Sequence, residues 1–189
     1  MDKILLVSKS NKACDALKES LGGAGYENIT CVSSAGGARR LLSDENYSLC
    51  IIDMPLSDEN GCELALYVVQ NFDCTCIILA QGGTEEDISG MLEDYGVMVL
   101  TKPISRSFFY KMVKFALTSG KRISDSRNEI KKLQRKLDEL KIVTRAKLVL
   151  MEKLNISETQ AHKYIERQAM DQRITKEEVA NAILKKYGF

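Results

Sequence analysis

The stretch LCIIDMP, residues 49–55, joins four apolar residues to one carboxylate and then to a proline. A short apolar run closed in this way reads as a strand buried on both faces and ending at Asp53. Similar runs lie to either side. They are Ile4–Val7 within KILLVSKS, Ile29–Val32, Cys76–Leu79 and Val97–Leu100, the last followed by Thr101, Lys102 and Pro103. The intervening amphipathic stretches predict helices near 12–21, 35–43, 62–72, 86–93 and 105–119. Five strands alternating with helices imply a parallel sheet covered on both faces. Ligands of such sheets sit at the carboxyl ends of the strands, so Ser8, Asp53, Ala80 and Lys102 are expected on one rim.

A chain of 189 residues holds one large domain or two small ones, and 44% hydrophobic with 28% charged residues is ordinary for a soluble globular protein. No apolar run approaches the roughly 20 residues of a membrane span, and the first residues do not form a secretory signal. A cytoplasmic protein with no membrane partner is expected. Cys14, Cys31, Cys50, Cys62, Cys74 and Cys76 include no C-x-x-C pair, and the single histidine, His162, is remote in sequence. This argues against a structural zinc and for free thiols in a reducing compartment. No Ser-His-Asp or Cys-His arrangement is evident, so no enzyme activity is expected.

Charge divides the chain. Residues 1–120 carry ten Lys and Arg against sixteen Asp and Glu, whereas residues 121–189 carry seventeen against ten. Opposite net charges argue for two modules with different partners, the basic one suited to a polyanion. After Gly120 the sequence becomes highly charged with a sparse apolar stripe: Ile123, Ile130, Leu133, Leu137 and Leu140, spaced 7, 3, 4 and 3. That is an a/d seam. A stripe packed on its own domain would usually be wider, so residues 121–141 are read as a coiled-coil helix that forms a homodimer. The remainder has no strand signals. Ser157 to Gln160 and Thr175 to Glu178 each fit a capping box. They predict helices near 158–172 and 176–186, after one running through the seam to about Leu154. The expected three-helix core is Leu150, Met151, Leu154 and Ile156, then Ala161, Tyr164, Ile165 and Ala169, then Val179, Ala182 and Ile183. Met170 is also read as core.

The Asp closing the third strand, the segment IIDMPLSDENG with Gly61 ending its loop, and Lys102-Pro103 after the fifth strand together resemble the receiver domain of bacterial response regulators. The resemblance covers residues 1–120 and implies a flavodoxin-like (βα)5 fold with Asp53 as phosphoacceptor and Lys102 contacting the phosphoryl oxygens. Two acidic residues after the first strand would hold Mg²⁺, which would neutralise the transferring group. Here those positions are Ser8 and Lys9. The hydroxyl expected after the fourth strand is Ala80, and the aromatic residue expected in the fifth is Val99. A charged lysine does not ligate Mg²⁺, so no cofactor is expected. At an effective dielectric of about 20, opposite charges about 4 Å apart attract by roughly 4 kcal/mol before desolvation. Lys9 and Lys102 are therefore expected to hold Asp53 in a metal-free ion pair, the alternative being a solvated Lys9.

The C-terminal stretch resembles the ANTAR domain, the RNA-binding module of transcription antiterminators. Arg145-Ala146-Lys147, Leu150-Met151, Ile156-Ser157-Glu158, Ala161, Arg167-Gln168-Ala169-Met170, Arg173 and Val179-Ala180 carry the likeness. Leu148 departs from a glycine frequent in the family. The resemblance covers residues 136–189 and implies an all-α three-helix module that, as a dimer, binds hairpin loops in a nascent leader transcript. Arg145, Lys147, Arg167, Arg173 and Lys176 are candidate phosphate contacts, and His162 or Tyr164 a base-stacking group. A histidine kinase or a sequestering protein would be a further partner. The other readings are a DNA-binding response regulator and a protein-sequestered adaptor.

Overall fold

The computed structural model describes residues 2–83 and 85–188. The chain divides into two compact units, Met1–Asp125 and Ser126–Phe189. The first contains β1 (Ile4–Ser8), α1 (Asn11–Gly22), β2 (Ile29–Val32), α2 (Ala35–Asp44), β3 (Leu49–Asp53), α3 (Gly61–Asn71), β4 (Thr75–Gln81), α4 (Glu85–Leu92) and β5 (Met98–Lys102). All four strand pairings are parallel, and the order is β2-β1-β3-β4-β5.

Strand side chains alternate between faces with a period of two, and the core follows that rule. Leu5, Val7, Cys50, Ile52, Cys76, Ile78 and Ala80 pack with residues of α2 and α3 such as Ala38, Leu42, Leu64 and Val68. Ile4, Leu6, Leu49, Ile51, Ile77 and Leu79 pack on the other face with Cys14 and Leu21 of α1 and with Phe109 and Val113. The latter two belong to α5, a single helix from Arg106 to Leu154. The sequence predicts two helices here, with a break after Gly120. Instead, Gly120 lies inside α5, where an added Cβ would fall 2.2 Å from Thr75 Oγ1. The glycine therefore serves a close approach of the helix to the start of β4 and does not end the helix. β3 ends at Asp53 as the sequence reading has it, whereas β1 extends one residue to Ser8 and β5 runs through Lys102.

The second unit holds the remainder of α5, then α6 (Glu158–Gln172) and α7 (Lys176–Lys186). Both capping boxes form: Ser157 with Gln160, and Thr175 with Glu178. The core comprises Val143, Ala146, Val149 and Leu150, then Ala161, Ile165 and Ala169, then Val179, Ala180, Ile183 and Leu184, with Met151 and Ile156 partly buried against it. Leu154, Tyr164, Met170 and Ala182 are exposed, contrary to the sequence reading. On α7 the buried face is displaced by a fraction of a turn, so Ala180 and Leu184 take the place expected of Ala182.

Candidate functional site

Strand parity assembles the first site. Ser8 follows Ile4 and Leu6, Asp53 follows Leu49 and Ile51, and Lys102 follows Met98 and Leu100, so all three belong to the face packed by α1 and α5. Ser8 is in register with Asp53 across β1 and β3. Its hydroxyl, 2% exposed, donates to Asp53 Oδ2 at 2.6 Å and accepts from the Ser10 N–H at 3.2 Å. Lys102 Nζ donates to Asp53 Oδ1 at 2.6 Å and to the Met54 carbonyl at 2.8 Å. Both carboxylate oxygens of Asp53 are thus engaged by hydrogen-bond donors, one neutral and one cationic. Such charge-assisted bonds are the stronger kind.

Two expected members of the pocket lie elsewhere. Ala80 has the opposite parity and is buried in the core beneath α2 and α3. Lys9 lies one residue beyond β1 and is exposed. The expected pairing of Lys9 with Asp53 is replaced by the Ser8 hydroxyl bond. The donor set does not fit a divalent cation. Mg²⁺ demands oxygen ligands in near-octahedral array, and Asp53 is the sole carboxylate among Ser8, Lys9, Asp53 and Lys102. Among the described residues, no cluster of three or more His, Cys, Asp or Glu is placed to hold a metal.

The loop after Asp53 is held from outside. Met54–Pro55 and Lys102–Pro103 are cis. The Asp58 carboxylate accepts from the Ala35 and Gly36 N–H groups at 3.0 Å each, at the start of α2. Those two bonds hold its carboxyl below the usual range. Arg39 Nη2 reaches Glu59 Oε1 at 2.8 Å, and its guanidinium lies 4.3 Å from the Tyr67 ring centroid. Gly61 opens α3 where a Cβ would meet Met54 Cγ at 2.8 Å. Beside the pocket, a groove of about 460 Å³ has Asp53, Lys102, Leu17, Ile104 and Phe109 among its walls.

In the second unit the candidate RNA contacts fall into two groups. Lys147 is drawn to Glu158 Oε1 at 2.7 Å, with only 16% of its side chain exposed, and Lys176 to Glu166 Oε1 at 2.6 Å. His162 Nε2 lies 3.3 Å from the same Glu166 oxygen. The lysine partners hold both carboxyls below their usual range. The more open group is Arg145, Tyr164, Arg167 and Arg173. Arg167 is 83% exposed at its side chain and 3.7 Å from Asp171. Arg173 ends α6 in the left-handed region at φ 56. Two residues that the sequence reading did not select share that open surface, Lys163 and Met170, the latter 78% exposed. Along α5 the seam residues are open as well: Ile123 55%, Ile130 65%, Leu133 59%, Leu137 47% and Leu140 63% exposed.

Comparison with known proteins agrees with this division. Residues 4–114 match the family model of the response regulator receiver domain, and residues 131–184 that of the ANTAR domain. The chain is 28% identical over 173 residues to the transcriptional regulatory protein PdtaR from two strains of Mycobacterium tuberculosis, covering 91% of this chain and 84% of that one. Among solved structures it resembles the signal receiver domain of an HD domain-containing protein from Pseudomonas fluorescens Pf-5 (TM-score 0.60, 21% identity, 66% of this chain and 92% of that chain). It also resembles a response regulator receiver domain protein from Methanospirillum hungatei JF-1 (TM-score 0.59, 22% identity, 65% and 98%). At such identities the structural likeness establishes the receiver fold alone.

Proposed function

The chain belongs to the response regulators, with a receiver domain followed by an RNA-binding ANTAR domain, and from that premise we propose that it is a dimeric transcription antiterminator whose receiver is controlled without Mg²⁺-dependent phosphorylation. In this reading the ANTAR unit grips hairpin loops of a nascent leader transcript and prevents a terminator hairpin from forming. The seam on α5 joins two copies. A protein that sequesters the regulator, or a histidine kinase that docks on the receiver without transferring a phosphoryl group to Asp53, supplies the input.

The observation that carries the mode of control is the engagement of both Asp53 oxygens by Ser8 and Lys102. Attack on phosphorus needs a free carboxylate oxygen and a cation to neutralise the transferring group. Here the neutralising charge is Lys102 itself. Support for the dimer comes from the row of half-exposed Ile and Leu side chains on α5. A shallow hollow of about 390 Å³ between Leu137, Leu140, Thr144 and Leu148 on that one helix would accept the side chains of a partner helix.

Light scattering with and without acetyl phosphate and Mg²⁺, and with a hairpin RNA or its DNA duplex counterpart added, tests the reading. The expected result is the mass of two chains with or without acetyl phosphate, Mg²⁺ or duplex DNA, no phosphoryl group on Asp53 by mass spectrometry, and a rise above that mass only when the hairpin is added. Stoichiometric modification of Asp53 would overturn the proposed control. Preference for duplex DNA would overturn the RNA reading, and absence of any nucleic-acid affinity at low salt would favour an adaptor.

A further inference from the structure

Met170 is the most exposed large apolar side chain, at 78%, among the described residues. It is not isolated. On a helix, residues three apart are surface neighbours about 5–6 Å apart, and Tyr164, Arg167 and Met170 form such a row along α6, with Arg173 next at its C-cap. Tyr164 is 41% exposed, and Arg167 and Arg173 are open to solvent. Lys163 lies one turn from Arg167 and is likewise exposed. The opposite side of the helix, Ala161, Ile165 and Ala169, is consumed by the core. The ridge therefore alternates a flat or polarisable apolar group with a cation. Its acidic neighbours on α6 are Asp171, 3.7 Å from Arg167, and Glu166, four residues before Met170 and drawn to Lys176 at 2.6 Å and His162 at 3.3 Å.

We propose that the ridge Tyr164–Arg167–Met170–Arg173 reads the unpaired bases of the RNA loop, with Met170 packed on a base face and Arg167 and Arg173 on the flanking phosphates. This rests on the RNA-binding reading above and assigns the surface. The chemistry favours it. Single-stranded loops offer splayed bases whose faces seek apolar or aromatic surface, while their phosphates seek cations. The methionine thioether is polarisable and flexible, and it adapts to a base face without requiring one orientation. A site for a second copy or a protein partner would want an apolar stretch with charge depleted at its centre. Here a cation stands on either side of Met170.

The test uses the full chain and RNA hairpins with a fixed stem and a fully randomised loop. Bound hairpins are sequenced, and the affinity of the selected loop is then measured over a salt series. Wild type is expected to select a loop consensus. Met170→Ala is expected to lower affinity for that loop about tenfold and to relax the preference at one loop position, leaving the salt slope unchanged. Arg167→Gln is expected to make the slope shallower by about 0.7, the value for one single-strand phosphate contact. A Met170→Ala chain that selects the same loop with affinity within about twofold of wild type overturns the assignment while leaving the RNA reading intact. Wild type that selects no loop overturns both. A Met170→Glu chain that scatters as a single copy would show that the ridge is covered by a second chain, which also overturns it.

Discussion

Ser8 stands where a metal-binding carboxylate would be expected, and its hydroxyl does the opposite of what that carboxylate would do. It donates a hydrogen bond to Asp53 at 2.6 Å, where a carboxylate would repel it. Restoring the acids tests the difference. Ser8→Asp with Lys9→Asp places three carboxylates around the end of β1 and β3. Without metal they repel one another, so the variant is expected to melt lower than wild type and to regain stability on adding Mg²⁺. It should also gain a phosphoryl group from acetyl phosphate that wild type does not accept. An Mg²⁺-independent melting temperature in the variant would count against this account. Part of the arrangement was legible in the chain. Asp53 and Lys102 stand at the ends of apolar runs, and their alternation with Ile51 and Leu100 places them on one face. Lys9 falls just past the last residue of β1 and is exposed. The appeal of a lysine beside an aspartate obscured that, because spacing in sequence carries no record of which face a strand-end residue takes until the last strand residue is known.

Among the elements, the two short C-terminal helices were the most legible, because a capping box is local: the hydroxyl accepts from the backbone N–H three residues later, and the side chain there accepts from the N-cap N–H, wherever the helix starts. Their carboxylates also set a pH response. The carboxyls of Glu158, Glu166 and Glu178 are held below the ordinary glutamate range in the folded chain, by Lys147, Lys176 and the Thr175 backbone N–H respectively. A depressed folded pKa contributes stability that is present above the unfolded value and is lost as pH falls through the folded one. Thermal melts taken from neutral pH to below 4.5 should therefore show a falling midpoint. Glu178→Gln should flatten that fall. The helix α5 was less legible. Glycine is a poor helix residue, worth roughly 1 kcal/mol less than alanine, so Gly120 read as a break. Contact with β4 decides the matter, and sequence pattern does not display it. Gly120→Ala would place a Cβ 2.2 Å from Thr75 Oγ1 and displace the hydroxyl that donates to the Ala116 carbonyl. A loss of about 1–3 kcal/mol, typical of overpacking, is expected in urea unfolding. Adding Thr75→Ala should recover most of it, and no recovery would mean that the strain lies elsewhere. Met170 was misplaced for a different reason. The rule that apolar residues lie inside runs one way only, and a folded surface still carries apolar side chains.

At the scale of the molecule, residues 1–120 carry net negative charge and residues 121–189 net positive charge, and the chain folds as two compact units divided between Asp125 and Ser126. The exposed apolar row on α5 sets the expected assembly. Leu137→Glu with Leu140→Glu puts like charges opposite one another in a dimer seam, and the expected outcome is a single-copy mass by light scattering with helical content retained. The same variant should bind hairpin RNA more weakly through loss of the second grip, since two linked sites raise avidity without new contacts. Unchanged mass would place the dimer contact off this seam.

The Asp58 carboxylate, which ties the loop after Asp53 to the first amides of α2, has a kinetic consequence. Those amides have no partner within their own helix, so their protection from solvent deuterium depends on a side chain more than twenty positions further along the chain. Exchange at Ala35 and Gly36 therefore clocks the opening of the Asp53 loop, and a signal that loosens that loop would be read first as faster deuteration on a helix that itself has not moved.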